Sequence, residues 1–285
     1  MVYTSSLQLL KNLQETLVQK FPNEADTMAF QIVEHFSGFT RTDILVDKPM
    51  ATGPQFDDQI QQITERVLSN EPIQYVLGKA HFFGRMFEVN PSTLIPRQET
   101  EELVQIILQD VEAKKGLLAL DIGTGTGCIP ITLSLENPNL LVEALDFSRE
   151  ALETAKKNAQ ALKANVQFFE LDVLNNNLSK TYDIIVSNPP YVLESEKELM
   201  QPNVLEHEPS TALFVPDELP LLFYERITEL ALEHLNPNGK IYFEINEQFG
   251  DEVLELLTKN VFHQVTLHKD LNGKPRFVSG ILLSA

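Results

Sequence analysis

The chain has 285 residues, 22 of them Lys or Arg and 41 Asp or Glu, for a formal charge of −19. Its length suggests one large domain or two unequal ones with a full hydrophobic core, and 43% hydrophobic against 22% charged residues excludes a largely disordered chain. The acidic balance argues against a broad phosphate-binding face, leaves room for a local basic groove and favours a basic or neutral partner, while the single cysteine, Cys128, excludes an internal disulfide and a Cys-rich zinc site.

At the N-terminus, Met1–Lys11 shows no positive leader before an apolar run. No apolar stretch approaches the about 18 residues of a membrane span. The expectation is therefore a cytoplasmic protein with no membrane partner. Leu10, Leu13 and Leu17 predict one helix, and Ala25, Met28, Ala29, Ile32, Val33 and Phe36 a second. Phe56, Ile60, Ile63 and Val67 predict a third, each set forming one apolar stripe at three- and four-residue steps. Pro49, Gly53 and Pro54 interrupt the pattern. Nothing before residue 70 has the look of a catalytic group, so the region reads as a small helical bundle, with substrate recognition as the functional alternative.

His81–Phe83 and Met86–Val89 flank Gly84-Arg85 and predict a β-hairpin. The expected domains are residues 1–79 as a helical substrate-recognition domain, 80–98 as a hairpin linker and 99–285 as the catalytic domain. From residue 100 strands and helices alternate: helix Thr100–Lys115, strand Leu117–Leu120, a helix after Gly127, strand Leu140–Leu145, helix Ser148–Leu162 and strand Val166–Leu171. Strand Asp183–Ser187, helix Pro220–Leu235, strand Lys240–Ile245 and helix Gln248–Lys259 follow. This alternation implies an α/β fold with a parallel sheet covered on both faces. Phe262–His268 and Arg276–Leu283, joined through Asn272-Gly273, predict that it closes with an antiparallel hairpin.

Asp121-Ile122-Gly123-Thr124-Gly125-Thr126-Gly127 lies between an apolar strand and a helix. Glycines permit a sharp turn and close approach of a ligand, and in an open α/β sheet this loop sits where ligands bind. Asp146 ends the next strand 19 residues after Gly127, the spacing of a carboxylate that meets a ribose diol. A dinucleotide site wants Gly-x-Gly-x-x-Gly and a phosphate at the helix start. Here the spacing is Gly-x-Gly-x-Gly, and Asp121 repels phosphate but suits a cationic amino-acid cofactor such as S-adenosylmethionine. The bland reading is a tight turn without a ligand, and the register of Asp146 favours a nucleoside cofactor over it. Asp172, with Val173 after it, ends the third strand and is placed to meet an adenine amino group or simply to cap a turn.

Ser187-Asn188-Pro189-Pro190-Tyr191 follows the fourth strand. A rigid turn accounts for it on local grounds. Chemistry offers more: a planar amino group needs two fixed acceptors, and the Asn188 side-chain oxygen and the Pro189 carbonyl supply them. Tyr191 would then stack on the planar group. No Ser/His/Asp set, His-rich metal motif or phosphate-binding P-loop competes.

Taken together, Asp121-x-Gly-x-Gly-x-Gly, Asp146 and Asn188-Pro189-Pro190-Tyr191 resemble the class I S-adenosylmethionine-dependent methyltransferases that act on planar nitrogen. More specific pieces are similar to the release factor glutamine N5-methyltransferases, the HemK-like family. They are Glu71-Pro72-Ile73-Gln74-Tyr75-Val76-Leu77-Gly78, Phe83-Gly84 with Phe87 and Val89, and Leu94-Ile95-Pro96-Arg97-Gln98-Glu99-Thr100-Glu101. Glu208-Pro209 with Ala212-Leu213, Glu244-Ile245, and Lys269-Asp270-Leu271 with Arg276 match as well.

The resemblance spans essentially the whole chain. It implies a Rossmann-like methyltransferase sheet ending in an antiparallel hairpin, preceded by a small helical domain. It also implies methyl transfer from S-adenosylmethionine to the glutamine amide of the Gly-Gly-Gln motif in peptide chain release factors; the charge of −19 and the scarcity of Lys and Arg around residues 188–212 add the expectation of no direct nucleic-acid binding. It places the cofactor on Gly123, Thr124, Gly125, Thr126, Gly127, Asp146, Asp172, Val173 and Asn188. The acceptor falls on Asn188, Pro189, Pro190 and Tyr191, with Asn188, Pro189 and Tyr191 catalytic and no metal. A ribosomal-protein glutamine and an exocyclic amine of DNA or RNA are rival acceptors for the same motif, and a fold that only binds the cofactor is a rival of another class. Two departures from the family pattern stand out: Val215-Pro216-Asp217-Glu218-Leu219 replaces a glycine-rich loop, and Asn246 stands where a glycine is usual.

Overall fold

The computed structural model describes residues 5–50, 53–111 and 115–283. Residues 1–4, at the head of the segment read for a leader, and 112–114, near the end of the helix expected over Thr100–Lys115, lie outside the described residues. The chain divides into two compact units, Met1–Gly78 with Pro202–His207, and Lys79–Gln201 with Glu208–Ala285.

The first unit is helical. The three apolar stripes become α1 (Ser6–Leu17), α2 (Ala25–Ser37) and α4 (Pro54–Leu68). Two short helices that the periodicity did not announce, α3 (Arg41–Leu45) and α5 (Ile73–Leu77), complete the series; each has five residues, too few for a stripe to register. Local chemistry starts these elements. The Ser5 side chain accepts from the Gln8 N–H at the head of α1, Thr40 and Asp43 form a reciprocal capping box on α3, and Pro54 opens α4. Leu9, Leu13, Leu17, Ile32, Ile44 and Ile60 are buried in one cluster.

The second unit begins with the expected hairpin, β1 (Lys79–Phe82) and β2 (Arg85–Glu88), paired antiparallel. It is packed into the unit rather than strung beside it. Phe82 and Phe87 are buried in a cluster with Leu103 and Ile107 of α6 (Gln98–Val111), each burial contributing about 1.5–3 kcal/mol. The Phe83 N–H donates to Glu101.

Then come β3 (Leu118–Ile122), α7 (Cys128–Glu136), β4 (Leu141–Asp146), α8 (Arg149–Leu162), β5 (Val166–Glu170) and β6 (Tyr182–Ser187). The short β7 (Val192–Leu193) pairs in parallel with β8 (Phe214–Val215); between them α9 (Pro202–His207) belongs to the first unit. The chain closes with α10 (Leu222–His234), β9 (Leu235–Glu244), a 3₁₀ turn over Glu247–Phe249, α11 (Gly250–Lys259), β10 (Phe262–Lys269) and β11 (Pro275–Leu282).

Seven strands form one sheet in the order β10-β11-β9-β6-β3-β4-β5. Strands β9, β6, β3, β4 and β5 run parallel, and β11 lies antiparallel between β9 and β10. The α/β sheet with a closing hairpin is thus as the sequence led one to expect. The hairpin connection is longer than a two-residue Asn-Gly turn: Asp270 accepts from the Asn272 and Lys274 N–H groups, and Gly273 takes a left-handed conformation at φ 81°.

Register decides where the chemistry can sit. Ile122 stands level with Leu145 and Ser187, and Ser187 with Phe243. The residues that follow these (Gly123, Asp146, Asn188 and Glu244) therefore come together along the carboxyl edge of four parallel strands.

Candidate active site

A cavity of about 560 Å³ opens at that edge, within the second unit. Gly123, Thr124, Gly125, Thr126, Asp146, Asp172, Val173, Asn188, Pro189 and Pro190, all expected from the sequence, line it. Two further expected residues, Gly127 and Tyr191, take supporting positions.

One side is made chiefly of backbone. The Gly123 and Thr124 N–H groups both donate to the Leu145 carbonyl, at 2.9 and 3.0 Å. The Gly125 N–H donates to Asp146 Oδ2 at 2.8 Å. Gly125 is left-handed at φ 54° with open space where a Cβ would stand, so the loop presents bare backbone. Gly127, at φ 78°, is glycine for a different reason. A Cβ there would meet Ile131 Cδ1 at 2.9 Å and the Ala155 Cβ at 3.1 Å, so the residue lets α7 and α8 approach closely.

Asp146 has more to do than sequence spacing announced. Besides the Gly125 bond, its Oδ1 accepts from the Ser148 N–H at 2.9 Å. Its oxygens keep lone pairs for a ligand hydroxyl, and burial raises its pKa, against the backbone N–H groups that hold it down. Asp172 does cap its own turn: Oδ1 accepts from the Leu174 N–H and Oδ2 from Asn175 Nδ2.

Beneath the loop lies Asp121, 1% exposed. Neither of its oxygens, nor the hydroxyl of Thr124, has a hydrogen-bond partner in normal geometry. Burial pushes its carboxyl up to about 7; the Thr124 hydroxyl opposes the shift and the Asp146 charge adds to it. An unpaired buried carboxylate is costly, and a cation held above the loop would relieve it. The donor set of this side therefore fits a cationic nucleoside cofactor. Cys128 also lines the cavity, but burial pushes its thiol up to about 12, which leaves it inert. Among the described residues no group of His, Cys, Asp and Glu could hold a metal ion.

Asn188 and Pro189 follow β6, the strand beside β3, and line the same cavity. Asn188 Nδ2 donates to Thr100 Oγ1 at 3.2 Å, and the Thr100 hydroxyl donates to Glu244 Oε2 at 2.7 Å. Glu244 is 1% exposed. Burial raises its carboxyl, while Thr100, Tyr191 and Arg276 hold it back. Tyr191 is half-buried. Its ring packs against the core, and its hydroxyl, kept protonated by burial, donates to Glu244 Oε1 at 3.1 Å.

Families described as "Methyltransferase small domain" and "PrmC N-terminal domain" match residues 97–207 and 8–78. A release factor glutamine methyltransferase of Flavobacterium psychrophilum is 43% identical over 95% of this chain and 98% of its own length. One of Bacteroides thetaiotaomicron is 44% identical over 90% and 93%. The chain belongs to the release factor glutamine methyltransferase family. A solved methyltransferase of Pyrococcus furiosus, 21% identical, covers 79% of this chain and 100% of its own with a TM-score of 0.54, a likeness of fold.

Against that family pattern the two departures have visible roles. Asn246 Nδ2 donates to the Tyr191 carbonyl and to Glu196 Oε2, bracing the segment that follows the Asn-Pro-Pro-Tyr turn. In the altered loop Asp217 Oδ1 accepts from the Ser195 N–H and hydroxyl. Of the supporting residues, Arg97 and Thr100 entered the sequence reading as part of the Leu94–Glu101 segment, with no role of their own, and Asn158 did not enter it. Asn158 Nδ2 donates to the Thr126 and Glu88 carbonyls and its Oδ1 accepts from the Glu88 N–H, tying the hairpin to the glycine loop. Arg97 pairs with the buried Glu208 at 2.6 Å. These partners lie 70 and 111 residues away, beyond the reach of any local pattern.

Proposed function

We propose that the protein transfers a methyl group from S-adenosylmethionine to the side-chain amide nitrogen of the glutamine in the Gly-Gly-Gln motif of peptide chain release factors. The observation that carries this reading is one cavity lined both by a glycine loop above the unpaired carboxylate of Asp121 and by Asn188 and Pro189. Bound there, S-adenosylmethionine supplies a methyl group activated by a positively charged sulfur. The loop from Gly123 to Gly127 and Asp121 hold the amino-acid end, Asp146 accepts from the ribose hydroxyls, and Asp172 with Val173 borders the adenine.

The amide nitrogen is a poor nucleophile, because its lone pair is delocalised into its carbonyl. Asn188 Oδ1 and the Pro189 carbonyl accept its two N–H bonds and fix the lone pair along the line of attack. Such alignment at about 3–3.5 Å is itself a large part of a rate enhancement. The nitrogen becomes acidic as its new bond forms, so no strong base is required beforehand. Tyr191 holds the turn from behind through Glu244; a stacking role for its ring belongs to this reading too.

The helical residues 1–79 serve in this reading to recognise the intact factor and residues 80–98 to connect them to the catalytic part. The location is the cytoplasm and nucleic acid is not a direct partner, in keeping with the charge of −19.

Incubation with S-adenosylmethionine labelled in its methyl group tests the proposal. Label should pass to purified release factor. Label passing instead to a ribosomal protein, DNA or RNA, or to none of them, would reject it.

A further inference from the structure

Asn188 can serve an amino group only if its oxygen, and not its NH₂, faces the acceptor, and nothing intrinsic to an asparagine side chain sets that choice. The geometry around it does. The Thr100 hydroxyl has one proton, and it is given to Glu244 Oε2 at 2.7 Å. What Thr100 then offers Asn188 is a lone pair, which accepts from Nδ2 at 3.2 Å. Were the amide turned over, its oxygen would face that lone pair and repel it. Glu244 is itself fixed: its other oxygen accepts from the Tyr191 hydroxyl at 3.1 Å, and its position on β9 is set by pairing with Phe277 of β11.

We infer that Thr100 and Glu244 are positioning residues that lock the polarity of Asn188, so that the site accepts an NH₂ donor and rejects a carboxylate. The inference rests on the methyl-transfer reading for its consequence, although the lock can be read without any turnover. A glutamine presents two N–H bonds to the Asn188 oxygen and the Pro189 carbonyl. A glutamate at the same place presents oxygens to oxygens, and a site built to receive hydrogen bonds rejects a ligand that cannot give them. With the lock released, Asn188 samples both orientations, and in one of them its NH₂ opposes the substrate's NH₂.

The test is a series at position 100 in the full-length protein. Thr100→Val removes the hydroxyl while keeping the side-chain shape. It should lower kcat on intact release factor by about 10²-fold, the cost of a misplaced reacting group, with little change in cofactor affinity. Thr100→Ser returns the hydroxyl and should recover most of the lost kcat. Glu244→Gln presents an NH₂ to Thr100, turns the hydroxyl proton toward Asn188 and should depress kcat as Thr100→Val does. A purely structural role would instead lower thermal stability and cofactor binding together with kcat.

Independently of turnover, the side-chain amide NMR signal of Asn188, assigned by its loss in Asn188→Asp, should shift in Thr100→Val and Glu244→Gln and hold its place in Thr100→Ser. Full kcat in Thr100→Val, or an unmoved Asn188 signal in both Thr100→Val and Glu244→Gln, would overturn the inference. If the wild-type protein transfers no methyl to the factor, the functional reading fails, and the NMR series alone decides whether the lock exists.

Discussion

The two sides of the cavity are built by different means. The proposed cofactor side is a short contiguous stretch, Gly123 to Gly127, in which the Gly123, Thr124 and Gly125 N–H groups are spent on Leu145 and Asp146 one strand away. The acceptor side is assembled across the chain: Asn188 rests on Thr100, 88 residues distant, and Thr100 on Glu244, 144 residues distant. A backbone-made surface depends on where side chains are absent and is damaged by adding atoms. A side-chain relay depends on which groups are present and is damaged by removing them.

That contrast orders the expected effects of substitution. The largest falls on the acceptor side. Asn188→Ala should lower kcat by about 10²–10³-fold, the loss seen when one preorganised hydrogen-bonding group is removed from a reacting centre, with KM for the cofactor changing far less. Steady-state kinetics on a folded release factor provides the check, and a near-normal kcat would remove Asn188 from the chemistry. Next comes an added atom on the cofactor side. Gly127→Ala combines a left-handed backbone with a Cβ pressed on Ile131 and Ala155, and should lower folding stability by about 2–4 kcal/mol in denaturant titration.

Asp146→Ala removes an acceptor from ligand and loop at once. Cofactor binding should weaken by about 1–3 kcal/mol, read by calorimetry. Unchanged affinity would end its ribose role.

A further effect is a pH dependence set by Asp121. Its carboxyl ionises at about 7 in the folded protein, against about 3.9 for an ordinary aspartate. Between these values the unfolded chain has lost the proton and the folded chain keeps it. The contribution of Asp121 to stability without ligand is therefore complete below about pH 4, falls as pH rises toward 7 and is constant above it. Cofactor binding runs the other way, because a cation prefers the ionised form. Affinity should rise with pH, by up to about tenfold per unit, and level off above pH 7. Asp121→Asn should flatten both profiles; a mutant with the wild-type profile would show that another group titrates.

The same contrast explains what the sequence made legible. The glycine loop, Asp146 and Asn-Pro-Pro-Tyr are contiguous or sit at strand ends, and alternating periodicity locates strand ends well. The parallel sheet and its closing hairpin followed from that alternation. The short helices α3, α5 and α9 carry five, five and six residues and leave no stripe to read. Thr100 is visible in the sequence only as part of Pro-Arg-Gln-Glu-Thr-Glu; its task appears once β9 brings Glu244 beside it. Tyr191 shows the limit from the other side. An aromatic after Pro-Pro invites a stacking role, while its hydroxyl is committed to a carboxylate 53 residues away, a partner no local pattern names.

The central claim is that this cavity methylates a glutamine amide, and the most direct measurement is mass spectrometry of a digested release factor after incubation with the protein and S-adenosylmethionine. One methyl group should appear, on the side-chain nitrogen of the glutamine in Gly-Gly-Gln, and intact factor should be modified far faster than a short peptide carrying the same motif, since the peptide forfeits remote binding energy. A methyl group on any other residue, or no added mass on a folded factor, would contradict the account.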